Sequence, residues 1–304
     1  MIQPNFDMIE RIIDSSSANL RSDPAAKILS TESISGGCIS SAQVVTLKDG
    51  RQYFVKSNPD QANMFEPEAA GLVAIAATEA IRVPAVIGHG KSDSGTGFLV
   101  LEFIESSPRP KDFFEHFGRS LGQMHLNSTK AHSDGQFGLD HANFIGSTPQ
   151  ENDWSQNWPM FFACHRIGYQ LKLANENGLA NSEFNRSCEK LIGRLPELLV
   201  TPNEPPALIH GDLWSGNFMV GSTGEPVLID PAVYFASREA EFGMTKLFGG
   251  FSSEFYHAYN EAYPLSDGWE ERAEIYKLYH LINHLNLFGT SYLSGCLTIL
   301  RKFS

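Results

Sequence analysis

The sequence has few cysteines, and their placement excludes two classes of protein. The four cysteines are scattered along the 304 residues: Cys38, Cys164, Cys188 and Cys296. No C-x-x-C pair is present, which argues against a zinc site and against a dense disulfide framework. We therefore expect a reducing, cytoplasmic compartment.

Long apolar runs and excess positive charge are also absent. No stretch approaches the roughly 18–20 apolar residues that span a bilayer, so no membrane partner is expected. Residues 1–20 predict a short amphipathic helix, with Ile9, Ile12 and Ile13 on one face, and not a signal peptide. Lys and Arg number 23 against 35 Asp and Glu, for a net charge of −12. A chain this acidic is a poor binder of phosphate backbones, which argues against a nucleic-acid partner.

The first third of the chain predicts strands. Two strand-like runs, residues 42–47 and 52–56, flank Asp49 and Gly50, and an Asp-Gly pair in that place predicts a hairpin. A helix is predicted over residues 66–80, with Pro67 in its first turn. An edge strand over 83–88 and a second strand over 98–103 follow.

The remainder of the chain predicts mostly helices. A breaker cluster at 106–110 precedes helical patterns near 113–124, 158–175, 183–199, 239–260 and 269–293, with one small hairpin between 206 and 230. We predict an α+β fold of two lobes. Residues 1–104 form an antiparallel sheet plus one helix that binds nucleotide, and residues 105–304 form a mainly helical lobe for catalysis and substrate binding. Boundaries between lobes often carry a ligand cleft.

The pattern that indicates chemistry is HGDLWSGN at residues 210–217. Asp212 and Asn217 have the D-x4-N spacing with which protein kinases place a catalytic base and a magnesium ligand. Asp230 follows the apolar run 226–229, and a tight hairpin would bring it beside Asn217. Carboxylate and amide oxygens are the ligands that Mg²⁺ prefers. The pattern predicts phosphoryl transfer with Asp212 as base and with Asn217 and Asp230 as metal ligands; the alternative is a surface loop of common turn residues.

Lys56 and Glu68 give independent support from the first lobe. Lys56 ends an alternating strand, where kinases place the lysine that binds phosphates, and Glu68 lies early in the next helix, where it can pair with Lys56. The alternative is a solvated lysine and a glutamate that favours a helix N-terminus. Gly36 and Gly37 precede the hairpin and are candidates for the phosphate loop, although the full G-x-G-x-x-G pattern is missing.

The end of the last predicted strand is a candidate for binding the adenine base. Glu102, Phe103 and Ile104 lead into the linker, where backbone groups would meet the adenine edge. A plain connector is compatible with the same residues. ATP and Mg²⁺ are therefore the expected cofactors.

These residues resemble the aminoglycoside phosphotransferase and choline kinase superfamily, which has a protein-kinase-like fold and acts on small molecules. Gly211 replaces the arginine of protein kinases, residues 230–232 read DPA in place of DFG, and no A-P-E segment follows. NFIGSTPQENDW (143–154), HGDLWSGN (210–217), EAEFGMTKLFGGF (239–251) and YHLINH (279–284) are similar to the fructosamine kinase (ketosamine kinase) family. The likeness runs from about residue 36 to residue 289.

The resemblance implies phosphorylation of the third-carbon hydroxyl of a sugar that an amine carries as a ketoamine. A phosphate on that third carbon is a good leaving group, so its elimination would release the amine and repair the adduct. The expected substrate is a small-molecule ketosamine or a glycated protein side chain, and we expect the protein to be a monomer or a homodimer. Two alternatives stay open: another small-molecule kinase and a nucleotide-binding pseudokinase scaffold.

Three further residues are candidates for contact with substrate. Trp214 lies two residues past the base, where an indole face suits stacking on a sugar. His284 and Asn143 belong to the quoted motifs. For each the alternative is a buried structural role. Cys38 gives a separate hypothesis, because a thiol in the phosphate loop is a site at which oxidation would switch activity off.

Overall fold

A computed structural model describes residues 6–16, 27–34, 40–132, 134–200 and 204–304. The predicted phosphate-loop residues Gly36 and Gly37, and the candidate redox residue Cys38, lie outside the described residues. Within them, no helix is both long enough and apolar enough to cross a bilayer.

The first part of the chain forms a five-stranded antiparallel sheet with two helices. Its elements are α1 (Phe6–Ser16), β1 (Ile28–Ile34), β2 (Ser41–Leu47), β3 (Gln52–Asn58), α2 (Phe65–Ala76), β4 (Val86–Lys91) and β5 (Gly97–Glu102). The strand order is β1-β2-β3-β5-β4. The predicted hairpin is confirmed, because β2 pairs with β3 and Gly50 takes the left-handed conformation in the turn (φ +90°).

The amphipathic helix predicted near the N-terminus is confirmed as α1. Ile9, Ile12 and Ile13 are buried against the sheet. A Cβ added to Gly88 of β4 would lie 2.8 Å from Ile12, so the helix rests directly on that strand. The sheet therefore carries α1 in addition to the one helix expected beside it.

Helix α2 is shorter than predicted and ends at Ala76 instead of residue 80. The Thr78 hydroxyl donates to the Ile75 carbonyl at 2.7 Å, and Glu79 adopts a left-handed conformation (φ +54°). This side-chain bond to a nearby carbonyl gives the backbone an alternative to the helix, which stops there.

The rest of the chain is mainly helical. Its helices are α3 (Phe113–Ala131), α4 (Trp158–Phe161), α5 (Tyr169–Glu176), α6 (Ser182–Leu198), α7 (Glu241–Thr245), α8 (Ser253–Ala262), α9 (Trp269–Phe288) and α10 (Leu293–Phe303). A π-helical segment, Phe162–Gly168, joins α4 to α5, and 3₁₀ turns occur at Ala62–Met64, Arg238–Ala240 and Thr290–Tyr292.

Three two-stranded antiparallel ladders, not the single predicted hairpin, lie among these helices. Their strands are β6 (Asn143–Ile145), β7 (Thr148–Gln150), β8 (Ala207–Ile209), β9 (Phe218–Val220), β10 (Pro226–Leu228) and β11 (Tyr234–Ala236). The pairs are β6 with β7, β9 with β10, and β8 with β11.

Two predicted helices are broken by glycine. The helix expected over residues 239–260 divides into α7 and α8, because Gly249 and Gly250 have φ of +71° and +93°. The helix expected over 269–293 ends at Phe288, before Gly289 with φ of +91°. Such angles are costly for other residues, so glycine marks these breaks.

One hydrophobic cluster joins the sheet to the helical part. It brings Leu72 of α2 and Leu101 of β5 together with Leu208 of β8, Leu228 of β10 and Val233. The sheet is thereby fixed against the strands that flank residues 210–217 and 229–233. Those segments carry the predicted chemistry.

Candidate active site

Residues 210–217 form the loop between β8 and β9, which we call the catalytic loop. Asp212 is half-buried at its centre. The Asn217 side-chain amide donates to the Asp212 main-chain carbonyl (2.8 Å) and to Oδ2 of its carboxylate (3.0 Å). The two residues are therefore fixed relative to each other, with Asp212 Oδ1 left for another partner.

The β9–β10 hairpin brings Asp230 to the same place, as its spacing predicted. Ile229 N donates to the Asn217 carbonyl at 3.0 Å, which closes the open end of the hairpin. Asp230 follows directly, in a left-handed conformation (φ +55°) and with its side chain exposed. Strained conformations of this kind in residues other than glycine cluster at functional sites.

Lys56 crosses from the sheet to this hairpin. Its Nζ lies 2.6 Å from Glu68 Oε1 and 2.6 Å from Asp230 Oδ1. The predicted Lys56–Glu68 ion pair is confirmed. Burial alone would lower the pKa of Lys56, but the charges of Asp230 and Glu68 outweigh it and raise that pKa. Lys56 is therefore a fixed cation between two carboxylates.

The carboxyl group of Asp212 is electrostatically unusual. Burial raises its pKa well above the ordinary value for aspartate; the Asn217 hydrogen bond opposes this shift, and the charges of Asp230 and Glu241 add to it. A raised pKa makes a carboxylate more basic, which suits it to accept a proton.

Glu241 of α7 binds the main chain of the catalytic loop, a role that the sequence does not predict. It is buried, and its carboxylate accepts from His210 N at 2.6 Å and from Gly211 N at 3.1 Å. A buried carboxylate that accepts two main-chain N–H groups fixes the path of the loop that presents Asp212.

The His210 side chain also stabilises the catalytic loop. Its Nε2–H donates to the Ile229 carbonyl at 2.8 Å, which leaves Nδ1 to accept from Asp212 N at 3.3 Å. Burial lowers the pKa of His210, so the neutral ring is favoured. The imidazole thus joins the catalytic loop to the hairpin end that carries Asp230.

Gly211 is explained by close packing. It has φ of +82°, and a Cβ there would lie 2.2 Å from the Ala232 carbonyl oxygen. A side chain such as the arginine of protein kinases cannot occupy this position unless the backbone moves.

Asn143 lies in a buried network behind the metal-ligand candidates. Its Nδ2 donates to the Val233 carbonyl (2.8 Å), and its Oδ1 accepts from Gln150 (2.8 Å) and Asn152 (2.9 Å). Arg166 from the π-helical segment in turn donates to Asn152 Oδ1 at 2.7 Å. The side chain of Asn143, a predicted substrate contact, is thus engaged with the chain segment that follows Asp230 and with Gln150 and Asn152.

Trp214 and His284 come together through Phe248. The rings of Trp214 and Phe248 are 6.1 Å apart between centroids, and those of Phe248 and His284 are 5.0 Å apart. Trp214 is 37% exposed and His284 is half-buried. Neither side chain is therefore fully buried in the core, as the alternative of a structural role would require. Both predicted substrate residues lie on one surface beside the catalytic loop.

At the linker, the Glu102 carboxylate is engaged within the protein. It lies 2.8 Å from Arg82 NH2 and accepts from Ala85 N at 3.1 Å. Phe103 and Ile104 follow the end of β5, with Phe103 half-buried and Ile104 buried. Main-chain groups there, and not the Glu102 side chain, are the candidates for an adenine contact.

Asn217 and Asp230, which flank the β9–β10 hairpin, carry oxygen atoms suited to a divalent cation. Asn217 uses its amide N–H groups on Asp212, and in the described part of the chain no hydrogen bond uses its carboxamide oxygen. Asp230 Oδ1 accepts only from Lys56 among the described residues. One carboxylate and one amide oxygen are the hard donors that Mg²⁺ takes together with substrate phosphates, so the residues fit the ion.

Comparisons with known proteins agree with this geometry. Residues 8–303 match the family model described as fructosamine kinase. The chain is 42% identical over 280 residues to the chloroplastic protein-ribulosamine 3-kinase of Oryza sativa subsp. japonica, covering 92% of this chain and 80% of that one. It is 44% identical over 268 residues to a ketoamine kinase homologue of Synechocystis, covering 88% and 87%.

Solved structures give the same result. A fructosamine-3-kinase homologue of Thermobifida fusca superimposes with a TM-score of 0.82 at 32% identity, covering 96% of this chain and 97% of that one. An aminoglycoside phosphotransferase solved with AMP-PNP and hygromycin B superimposes with a TM-score of 0.61 at 14% identity, covering 96% and 98%, and shares the fold. The predicted kinase-like α+β fold is confirmed.

Proposed function

The chain belongs to the fructosamine kinase family, and from that premise we propose that it is an ATP-dependent ketosamine kinase. It transfers the terminal phosphate of ATP to the third-carbon hydroxyl of a sugar held on an amine as a ketoamine. The observation that carries this proposal is the convergence of Lys56, Glu68, Asp212, Asn217 and Asp230 from distant parts of the chain.

Asp212 is the proposed catalytic base. Asn217 occupies its Oδ2, so we assign the proton of the attacking hydroxyl to Oδ1. The raised pKa of Asp212 strengthens it as an acceptor. General-base assistance of this kind typically contributes about 10²–10⁴-fold.

Lys56 is assigned to the phosphate oxygens of ATP, with Glu68 orienting it. Asn217 and Asp230 are the residues that would hold Mg²⁺, which when bound neutralises charge on the phosphates. Main-chain groups at Phe103 and Ile104 are assigned to adenine, and Gly36 and Gly37 to the phosphates. The division into a nucleotide lobe (1–104) and a catalytic lobe (105–304) follows from these assignments.

Trp214 and His284 are assigned to the sugar. Asn143 is assigned a positioning role instead of substrate contact, because its amide bonds to Val233, Gln150 and Asn152. The product would carry its phosphate on the third carbon, next to the second-carbon carbonyl. Loss of a proton from the first carbon, which bears the amine, gives an enol that expels inorganic phosphate from the third carbon. Water then hydrolyses the resulting imine, which releases the amine and a deoxy-dicarbonyl sugar.

The test is ATP consumption by the purified protein with Mg²⁺ and four acceptors in parallel: ribulose-lysine, fructose-lysine, choline and an aminoglycoside. Turnover on a ketosamine, absent in Asp212→Asn, is the expected result. Turnover on choline or the aminoglycoside alone would keep the kinase chemistry and discard the substrate class. Inactivity on all four would favour the scaffold alternative. The reducing cytoplasm and a monomer or homodimer remain our predictions for compartment and assembly.

A further inference from the structure

The acceptor side of the site continues into a row of aromatic side chains, which we call the aromatic strip: Trp214, Phe248, His284, Phe288 and Tyr292. Beyond the Trp214–Phe248–His284 contacts described above, the His284 ring lies 5.4 Å from Phe288 and 5.2 Å from Tyr292 between centroids. The strip therefore runs without interruption from the catalytic loop to the end of α9.

Three of the five side chains in the strip are exposed, and His284 and Tyr292 are half-buried. Trp214, Phe248 and Phe288 are 37%, 44% and 53% exposed, and they are three of the ten large apolar side chains that are exposed in the described part of the chain. Contiguous exposed apolar surface of this kind marks a binding site more often than scattered residues do.

Close packing holds the strip to the catalytic loop. A Cβ on Gly250 would lie 2.7 Å from the Ser215 Cβ, so the loop that carries Phe248 rests on the catalytic loop. A Cβ on Gly216 would lie 2.4 Å from the Trp214 ring, so the indole folds back over that glycine. The strip thus begins two residues from the base Asp212 and is continuous with the acceptor site.

The two segments that carry Phe248 and Phe288 contain one charged side chain, Lys246, whose Nζ lies 3.6 Å from Glu270 Oε1. Neither residues 246–252 nor residues 284–292 contain Asp or Glu, although the chain carries a net charge of −12. The Nδ1–H of His284 donates to the His280 carbonyl at 2.8 Å, which leaves Nε2 as an acceptor. Among these residues there is no carboxylate to pair with a basic carrier, so the surface fits an uncharged apolar group.

We propose that Phe248, Phe288 and Tyr292 of the aromatic strip bind the amine carrier of the ketosamine and select carriers with an aromatic group. This inference rests on the proposed function. In this arrangement the sugar hydroxyl lies at Asp212 and the sugar stacks on Trp214. A carrier that extends from the sugar along the strip then passes Phe248 and, beyond it, Phe288. Burial of an aromatic group there favours binding through the hydrophobic effect and ring stacking.

The test compares two substrates with uncharged α-nitrogen groups that differ in the aromatic ring: the fructose ketosamine on Nα-acetyl-lysine, and the same ketosamine on Nα-benzyloxycarbonyl-lysine. We expect kcat/KM to be at least about 10-fold higher for the benzyloxycarbonyl substrate, which is the scale of burying part of one ring. Phe248→Ala and Phe288→Ala should each reduce this ratio. Phe288→Tyr, which keeps the ring, should preserve it.

Val200→Ala is the matched control, because Val200 is 54% exposed at the end of α6 and outside the strip; the ratio should be unchanged. Equal kcat/KM for both substrates in the wild type, or an unchanged ratio in both strip variants, would overturn this proposal and leave the kinase function standing. If the protein turned over neither substrate, the proposed function would be overturned and this inference with it.

Discussion

Lys56 Nζ and Asp230 Oδ1 lie 2.6 Å apart although the two residues are 174 positions apart in the sequence. The contact joins β3 to the segment that follows β10. It places the proposed phosphate-binding cation beside the proposed metal-binding carboxylate.

Removal of the Lys56 ammonium should disable catalysis. We expect Lys56→Met to lower kcat/KM by about 10²–10³-fold, as loss of one preorganised charge-stabilising donor does in other enzymes. Glu68→Gln should have a smaller effect, because Asp230 still contacts Lys56. Steady-state kinetics with a ketosamine would measure both changes. Lys48→Met, at an exposed turn position, is the control; equal effects at positions 48 and 56 would contradict the assignment.

Asp212→Asn should remove most turnover and keep the fold. The expected loss in kcat is about 10²–10⁴-fold, because asparagine accepts the Asn217 hydrogen bond but cannot accept a proton. Nucleotide binding, measured by calorimetry, should be retained. A variant that turns over as fast as the wild type would remove Asp212 from its role.

The same substitution should change stability in a manner that depends on pH. Burial raises the pKa of Asp212 in the fold, so ionisation of this carboxyl opposes folding as pH rises from the unfolded value of about 3.9 through the raised folded value. Below that window protonated aspartate and asparagine are both neutral. We therefore expect the Tm of Asp212→Asn to approach that of the wild type near pH 4 and to exceed it at pH 7. A difference in Tm that does not vary with pH would contradict the raised pKa.

Glu239 and Glu241 offer a matched pair of buried carboxylates. Glu241 holds the His210 and Gly211 amides, whereas Glu239 pairs with Arg272 at 2.5 Å. Each substitution by glutamine should cost about 1–3 kcal/mol of unfolding free energy, measured in urea. Only Glu241→Gln should also lower kcat in the molecules that remain folded. A similar fall in kcat for both variants would show that Glu241 has no special effect on the catalytic loop.

Gly211→Ala tests the close approach of two segments. The new Cβ would lie 2.2 Å from the Ala232 carbonyl oxygen, so we expect loss of activity together with a marked fall in Tm. Gly178 also has a positive φ, of +68°, but nothing lies within 4 Å of its Cβ position. Gly178→Ala should therefore cost only the left-handed strain, about 1–2 kcal/mol, and leave activity intact. Comparable Tm values for the two variants would contradict the packing argument.

The sequence predicted the parts of the site that depend on local structure. The catalytic loop and the β9–β10 hairpin carry Asp212, Asn217 and Asp230. Because these residues are close in sequence and flanked by apolar strands, their spacing predicts that they lie at the same end of the hairpin. Lys56 lies near the end of β3 and Glu68 lies in the first turn of α2, the next helix, so their pairing could be predicted from their places in neighbouring elements.

What the sequence did not predict depends on contacts between distant segments. Glu241 acts through its carboxylate on main-chain N–H groups 30 and 31 positions away, and no local pattern distinguishes it from a solvated helical glutamate. The motif around Asn143 suggests a substrate contact. The sequence does not show that the Asn143 side chain is buried among hydrogen-bond partners from other segments. The helix predicted through Gly249 and Gly250 broke because both glycines take positive φ, which composition alone does not reveal.

The most direct test of the central claim is ³¹P NMR of the purified protein with ATP, Mg²⁺ and fructose-lysine. We expect a new phosphomonoester signal on the third carbon of the sugar, followed by inorganic phosphate and free lysine, and no such signal with Asp212→Asn. Hydrolysis of ATP to phosphate without a sugar phosphomonoester, or a phosphate on another hydroxyl, would contradict this claim.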